Sequence, residues 1–134
     1  MEQQNSIWIQ VKHEPDVVRS ILEAKRIANL LGFEEGATQM IATAVSELAR
    51  NILKYAHKGE VIITPLQQGL RSGIEIIAQD RGPGIKDVEQ ALADHFSSSG
   101  TLGLGLPGVK RMMDEFEIHS QLAEGTKVTI KKWR

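Results

Sequence analysis

Three stretches of this 134-residue chain carry groups whose types and spacing can do chemistry. In Ser46-Glu47-Leu48-Ala49-Arg50-Asn51, Glu47 and Asn51 stand four residues apart. On a helix that spacing sets them on one face, about 40° apart around the axis. The Asn51 amide oxygen suits a hard cation such as Mg²⁺, which takes few protein ligands and keeps several waters. Glu47, one turn away, is a carboxylate able to accept a hydroxyl proton. The second stretch is Asp80-Arg81-Gly82-Pro83-Gly84. An Asp at a strand end, followed by two glycines, gives a fixed acceptor beside backbone that a ligand can approach closely. The exocyclic amine of adenine is a donor of the kind it accepts. The third runs from Gly100 to Gly108 and leads into a helix. Its backbone N–H groups, with the positive end of the following helix, suit phosphates.

Two other nucleotide motifs fall away. Gly103, Gly105 and Gly108 match G-x-G-x-x-G, but Ser97-Ser98-Ser99 stand where a dinucleotide fold requires a strand. The chain contains no G-x-x-x-x-G-K-[ST] string.

The elements that must position these stretches follow from periodicity. Residues Ser6 to Val11 alternate as a half-buried strand. Pro15 opens a helix with an apolar stripe of Val17, Val18, Ile21, Leu22, Ala24, Ala28 and Leu31, capped by Gly32. A second helix is expected from near Thr38 to Ala56, with Ile41, Ala44, Val45, Leu48, Ile52 and Tyr55 inward. Strands over Glu60 to Leu66 and Gly73 to Gln79 flank a hairpin loop at Gln67-Gln68-Gly69. A short helix is expected around Asp87 to Asp94, and another opened by Pro107, with Val109, Met112, Met113 and Phe116 inward. Strands over Glu117 to Leu122 and Thr126 to Trp133 complete the chain, around the turn Ala123-Glu124-Gly125. The basic end Lys131-Lys132-Trp133-Arg134 reads as a charged edge-strand tail. The order β-α-α-β-β-α-α-β-β is that of an α+β sandwich, a strand layer with helices on one face.

Composition narrows the partners. Length predicts one domain over residues 1–134. With 41% hydrophobic and 25% charged residues, the chain is built to fold rather than to stay disordered. Sixteen basic against seventeen acidic residues leave a net charge of −1, so no nucleic-acid or membrane partner is expected. The absence of cysteine excludes disulfides, Cys-based metal sites and a thiol nucleophile. With no signal-peptide pattern at the N-terminus, a cytoplasmic setting is expected.

In this order, the helix Glu/Asn pair, the strand-end Asp-x-Gly-x-Gly and the glycine-rich lid resemble the GHKL ATPase/kinase superfamily, over roughly residues 36 to 130. The resemblance implies the Bergerat ATP-binding fold, a two-layer α/β sandwich whose mixed sheet is covered on one face by helices. It implies ATP and Mg²⁺ as cofactors, with Asn51 as the Mg²⁺ ligand and Glu47 as the catalytic carboxylate. Asp80 would bind the adenine amine, with Gly82 and Gly84 shaping the base pocket. Gly100, Gly103, Leu104 and Gly105 would wrap the phosphates. Thr126, in Glu124-Gly125-Thr126, would support Asp80, usually through water. The length leaves no room for the extra domain of gyrase-, Hsp90- or MutL-like members. His13, His57, His95 and His119 lie in no phosphoacceptor helix pair. The chain therefore resembles the stand-alone bacterial serine kinases that regulate sigma factors by partner switching. That branch implies phosphorylation of STAS-domain proteins of the RsbS and RsbR type, followed by activation of an RsbU-type phosphatase. An anti-sigma role of the RsbW or SpoIIAB type is the alternative. Oligomeric state stays open.

Overall fold

The computed structural model describes residues 5–85, 88–92 and 105–134. The chain begins with β1 (Ile7–Val11), an edge strand with Ile9 and Val11 buried. Helix α1 (Glu14–Leu30) follows. Its start is fixed by Asp16, whose carboxylate accepts the backbone N–H groups of Lys12 at 2.9 Å and His13 at 3.1 Å. These two bonds hold the Asp16 carboxyl below its ordinary range. Val17, Ser20, Ala24, Ile27 and Ala28 face inward. Val18 and Leu22, expected in the stripe, are instead 49% and 60% exposed. The sequence offers more apolar positions than one helix face can bury, and packing keeps the arc centred one residue away. Gly32 ends the helix at φ +87, a left-handed cap as expected.

Helix α2 (Glu35–Asn51) starts three residues before Thr38 and buries Thr38, Ile41, Ala42, Ala44, Val45, Leu48 and Ala49. The chain continues through a π-helical segment, Ile52–Ala56, that stops at His57 with φ +73. A π turn holds more residues than an α turn, so the 3.6-residue stripe loses its phase there. Tyr55, expected inward, is accordingly 46% exposed.

Strands β2 (Gly59–Gln68) and β3 (Arg71–Asp80) pair along their whole length, and the tight turn between them is Gly69-Leu70. Of the expected helix near Asp87 to Asp94, α3 (Val88–Ala91) lies within the described residues. Helix α4 (Gly105–Met112) opens two residues before Pro107. Its Leu106 and Val109 reach the core, as does Met113, while Phe116 has already passed into β4 (Glu115–Gln121). Strand β5 (Gly125–Trp133) ends the fold.

The sheet order is β1-β2-β3-β5-β4, and every hydrogen-bonded pair is antiparallel. The mixed sheet that was expected is therefore corrected. Strands β3 and β4 do run in the same direction, but β5 inserts between them and separates them. That insertion also makes β5 interior, so the basic C-terminal residues are not an edge tail. Residues opposite one another share a face. The rows Ile9–Val61–Ala78–Val128–Ile118 and Ile7–Ile63–Ile76–Ile130–Phe116 form the floor on which the helices pack.

Candidate nucleotide and phosphoryl-transfer site

The next row on the helix-facing side is Val11–Gly59–Asp80–Thr126–Ser120. Asp80 is the last residue of β3, set by strand register directly opposite Gly59 on one side and Thr126 on the other. Its Oδ1 accepts the N–H of Gly82 at 2.8 Å, which fixes the carboxylate and leaves Oδ2 as an acceptor. The Thr126 hydroxyl lies 2.8 Å from that of Ser120. Ser120 Oγ in turn accepts the N–H of Ile85 at 2.7 Å. The loop after Asp80 is thus strapped to the β4–β5 hairpin, with the Ala123 N–H also donating to Pro83 O at 2.8 Å.

Glycines make this crowding possible. A Cβ at Gly82 would stand 2.6 Å from Ala56 Cβ, and one at Gly59 2.8 Å from Ile52 Cγ2. The π-helical segment therefore rests on the sheet end at two positions where the floor has no side chain. Gly125 (φ +121) is the most constrained: a Cβ there would collide with the backbone of Asp80 and come 2.8 Å from Arg81 Cα. Gly84 (φ +81) abuts the carbonyl of Gln121 in the same way. Sequence reading had marked Gly82, Gly84 and Thr126. It missed Gly59 and Ser120 and took Gly125 as a turn residue. Gly59 and Gly125 come to the site only against Asp80, distant in sequence, and Ser120 through its bonds to Thr126 and Ile85.

Asn51 ends α2 immediately before the π-helical segment. It is half-buried, and its side chain makes no capping bond at that helix junction. Glu47, one turn earlier, is also half-buried, and its Oε2 accepts the N–H of Gly105 at 3.2 Å. Gly105 opens α4 at φ +68, so the start of α4 meets the Glu47 carboxylate directly. The structure therefore joins Gly105 to Glu47. Ile52 and Ala56, in the segment that follows Asn51, pack against the Gly59 and Gly82 positions beside Asp80. Gly100, Gly103 and Leu104 lie outside the described residues.

Arg50 is occupied elsewhere. Its guanidinium donates to Glu14 at 3.0 Å and to Ser46 at 3.2 Å, bracing α1 against α2. Among the described residues no group of three or more His, Asp or Glu could hold a metal. A lone amide oxygen such as Asn51 suits Mg²⁺ whose remaining ligands are phosphate oxygens and waters. An Asp with one free oxygen in a glycine-lined corner likewise suits an amine donor of a purine.

A family model described as a histidine kinase-like ATPase domain matches residues 11–132. The chain is 45% identical over 125 residues to the serine/threonine-protein kinase RsbT of Bacillus subtilis (strain 168), covering 93% of this chain and 94% of that one. It is 35% identical over 97 residues to an anti-sigma F factor of Caldanaerobacter subterraneus, covering 69% and 68%. Among solved structures, the RsbU and RsbW domains of a Mycobacterium tuberculosis protein match with TM-score 0.67 at 15% identity. That match covers 97% of this chain and a third (33%) of the larger one. The mycobacterial sensor histidine kinase MprB matches with TM-score 0.56 at 18% identity, covering 98% and 97%. At such identities these two show the shared fold. No helix among the described residues is long and apolar enough to cross a membrane.

Proposed function

Since the chain belongs to the histidine kinase-like ATPase family and is an ATP-using protein serine/threonine kinase, we propose that it phosphorylates STAS-domain proteins of the RsbS and RsbR type. We also propose that the 134 residues act as one domain in the cytoplasm, and that on release from its substrate the kinase activates an RsbU-type phosphatase. The observation that carries the reading is the Asp80 corner. There a carboxylate with one oxygen fixed by Gly82 is walled by glycines and registered against Thr126.

In this reading Asp80 accepts the adenine amine and Thr126 supports it, while Gly82 and Gly84 keep the wall thin enough for the base. Asn51 would hold Mg²⁺, which would supply neutralisation of phosphate charge. Gly100, Gly103 and Leu104 would supply backbone N–H groups toward the phosphates, beside Gly105, whose own N–H is held by Glu47. Glu47 takes the proton from the attacking serine or threonine hydroxyl as its oxygen bonds to the γ-phosphorus. The bond from that phosphorus to the β-γ bridging oxygen breaks, and ADP leaves. Little covalent work falls to the protein in such a transfer; positioning and charge stabilisation dominate. The Glu47–Gly105 bond supports this assignment, because it holds the carboxylate at the start of α4.

Likeness to an anti-sigma F factor favours a second reading, in which the chain sequesters a sigma subunit. The RsbT likeness covers more of the chain at higher identity and ranks first. The test is incubation with labelled ATP, Mg²⁺ and an RsbS-type STAS protein, with phosphosite mapping and pull-down against an RsbU-type phosphatase and a sigma subunit. Serine or threonine phosphate on the STAS protein with capture of the phosphatase is expected. An unlabelled STAS protein, or capture of the sigma subunit instead, overturns the first reading.

A further inference from the structure

The strand end that carries Asp80 also opens on a depression of about 790 Å³, whose lining includes the cations Lys12, Lys58, Arg81 and Lys127 and the carboxylates Glu60, Asp80 and Glu124. Three of the cations continue the sheet one residue past its last paired row. They follow Val11, precede Gly59 and follow Asp80, the residues of the last paired row. Like charges on neighbouring strands repel and destabilise a sheet. All four cations are exposed, and none forms an ion pair among the described residues. Among the other cations, Arg26 pairs with Glu23, Arg50 with Glu14 and Lys131 with Glu75 and Glu115, while Arg19, Lys25 and Lys110 likewise form no ion pair among the described residues. The acids that line the depression have other partners. Glu60 accepts from Gln79 Nε2 at 2.7 Å, Asp80 from Gly82, and Glu124 from the Gln121 amide in the orientation that satisfies both ends of that amide.

We propose that this depression docks a short acidic segment of the kinase's protein partner. The choice of a protein partner rests on the kinase reading above; the choice of an acidic segment rests on charge and shape. Lys127 shares its sheet face with Thr129 and Lys131, and opposite those stand Glu117, Glu75 and Glu115. An extended polyanion or a flat anionic surface would run onto these carboxylates. A short acidic peptide covers the four cations and stops before them. Asp80 and Thr126 line the same depression, so the docked segment borders the candidate base pocket.

A fluorescein-labelled octaglutamate peptide, titrated against the full chain by anisotropy, tests the surface. Binding that weakens with salt is expected. The double variant Lys12→Glu/Lys58→Glu lowers its affinity roughly tenfold or more. The charge-matched Arg19→Glu/Lys25→Glu on α1 leaves it unchanged. No peptide binding, or equal loss in both doubles, overturns the proposal. So does tighter binding of duplex DNA or phosphatidylserine vesicles through the same lysines, or self-association abolished by the double variant. ATP titration and phosphoryl transfer are measured on the same preparations. Intact transfer without peptide binding removes the docking surface and leaves the kinase; peptide binding without ATP binding does the reverse.

Discussion

Where β3 begins, side chains close on one another. The Arg71 guanidinium lies 4.7 Å from the centre of the Trp133 ring, Trp133 Nε1 donates to Glu115 at 2.8 Å, and its backbone N–H donates to Asp114 at 2.7 Å. Lys132 donates to Met112 O, and Arg134 Nε to Gly32 O, each at 2.8 Å. Where β3 ends, Gly59 and Gly125 of the sheet stand with Gly82 and Gly84 of the following loop, beside a depression lined by cations and carboxylates. A sheet of one topology is thus braced by polar side chains at one end and thinned to backbone at the other. The difference teaches how a small domain divides its work. One end is closed by side chains, and the end proposed to bind nucleotide keeps glycine backbone and the Asp80 carboxylate beside the Ser120–Thr126 strap.

The comparison can be broken at several points. The largest effect is expected in the chemistry of the ligand end. Glu47→Ala should keep nucleotide binding and lose roughly 10²–10⁴ in transfer rate. Single-turnover phosphorylation of a STAS protein checks this, and a full rate would remove Glu47 from the mechanism. Gly125→Ala comes next. Its Cβ must enter the Asp80 backbone at a left-handed φ, so a loss of about 3 kcal/mol in denaturant stability is expected, together with weakened ATP binding. Tolerance of the alanine would show that the thin wall is dispensable. Asp80→Asn should leave folding near wild type and weaken ATP by roughly 1.5–3 kcal/mol, read by calorimetry. An unchanged titration contradicts the base-pocket assignment.

At the braced end, Trp133→Phe replaces the indole with a smaller aromatic ring and deletes the bond to Glu115. It should cost about 1 kcal/mol of stability with no change in ATP affinity. A change in affinity instead would mean that the two ends are coupled. The smallest effect concerns Asp16, which pins the Lys12–His13 turn beside the ligand end. Its folded pKa is lowered, by the Lys12 N–H first and the His13 N–H second. Its contribution is therefore present above the unfolded carboxylate value of 3.8 and is lost as pH falls through the lower folded value. The stability gap between wild type and Asp16→Asn should shrink on acidification; a gap constant with pH would assign the difference to packing.

Much of the fold was legible in sequence. Ile9, Val11, Val61, Ile63, Ile74 and Ile76 alternate at period two, and every strand they mark is present. The helices were legible to within a turn, since Gly32 and the α2 stripe are local signals. Val18, Leu22 and Tyr55 were misplaced, because periodicity says which residues are apolar but not which arc a neighbouring layer will cover. The π-helical segment had no local sequence signature, and its Ile52 and Ala56 rest against Gly59 and Gly82, residues the sequence pattern does not bring to it. The C-terminal tail was misread for a related reason: whether a strand lies at an edge depends on where the chain inserts it.

Local chemistry by itself determined the identity of the reactive groups. A carboxylate and an amide one helical turn apart, an Asp before two glycines and a glycine-rich stretch are properties of short segments, which spacing alone records. Tertiary structure decided their company. Strand register set Thr126 opposite Asp80, the start of α4 placed the Gly105 N–H on Glu47, and the β5 insertion made Gly125 the wall behind Asp80. Such pairings join residues dozens of positions apart, and they exist only once the apolar rows of the sheet have chosen their register against the helices.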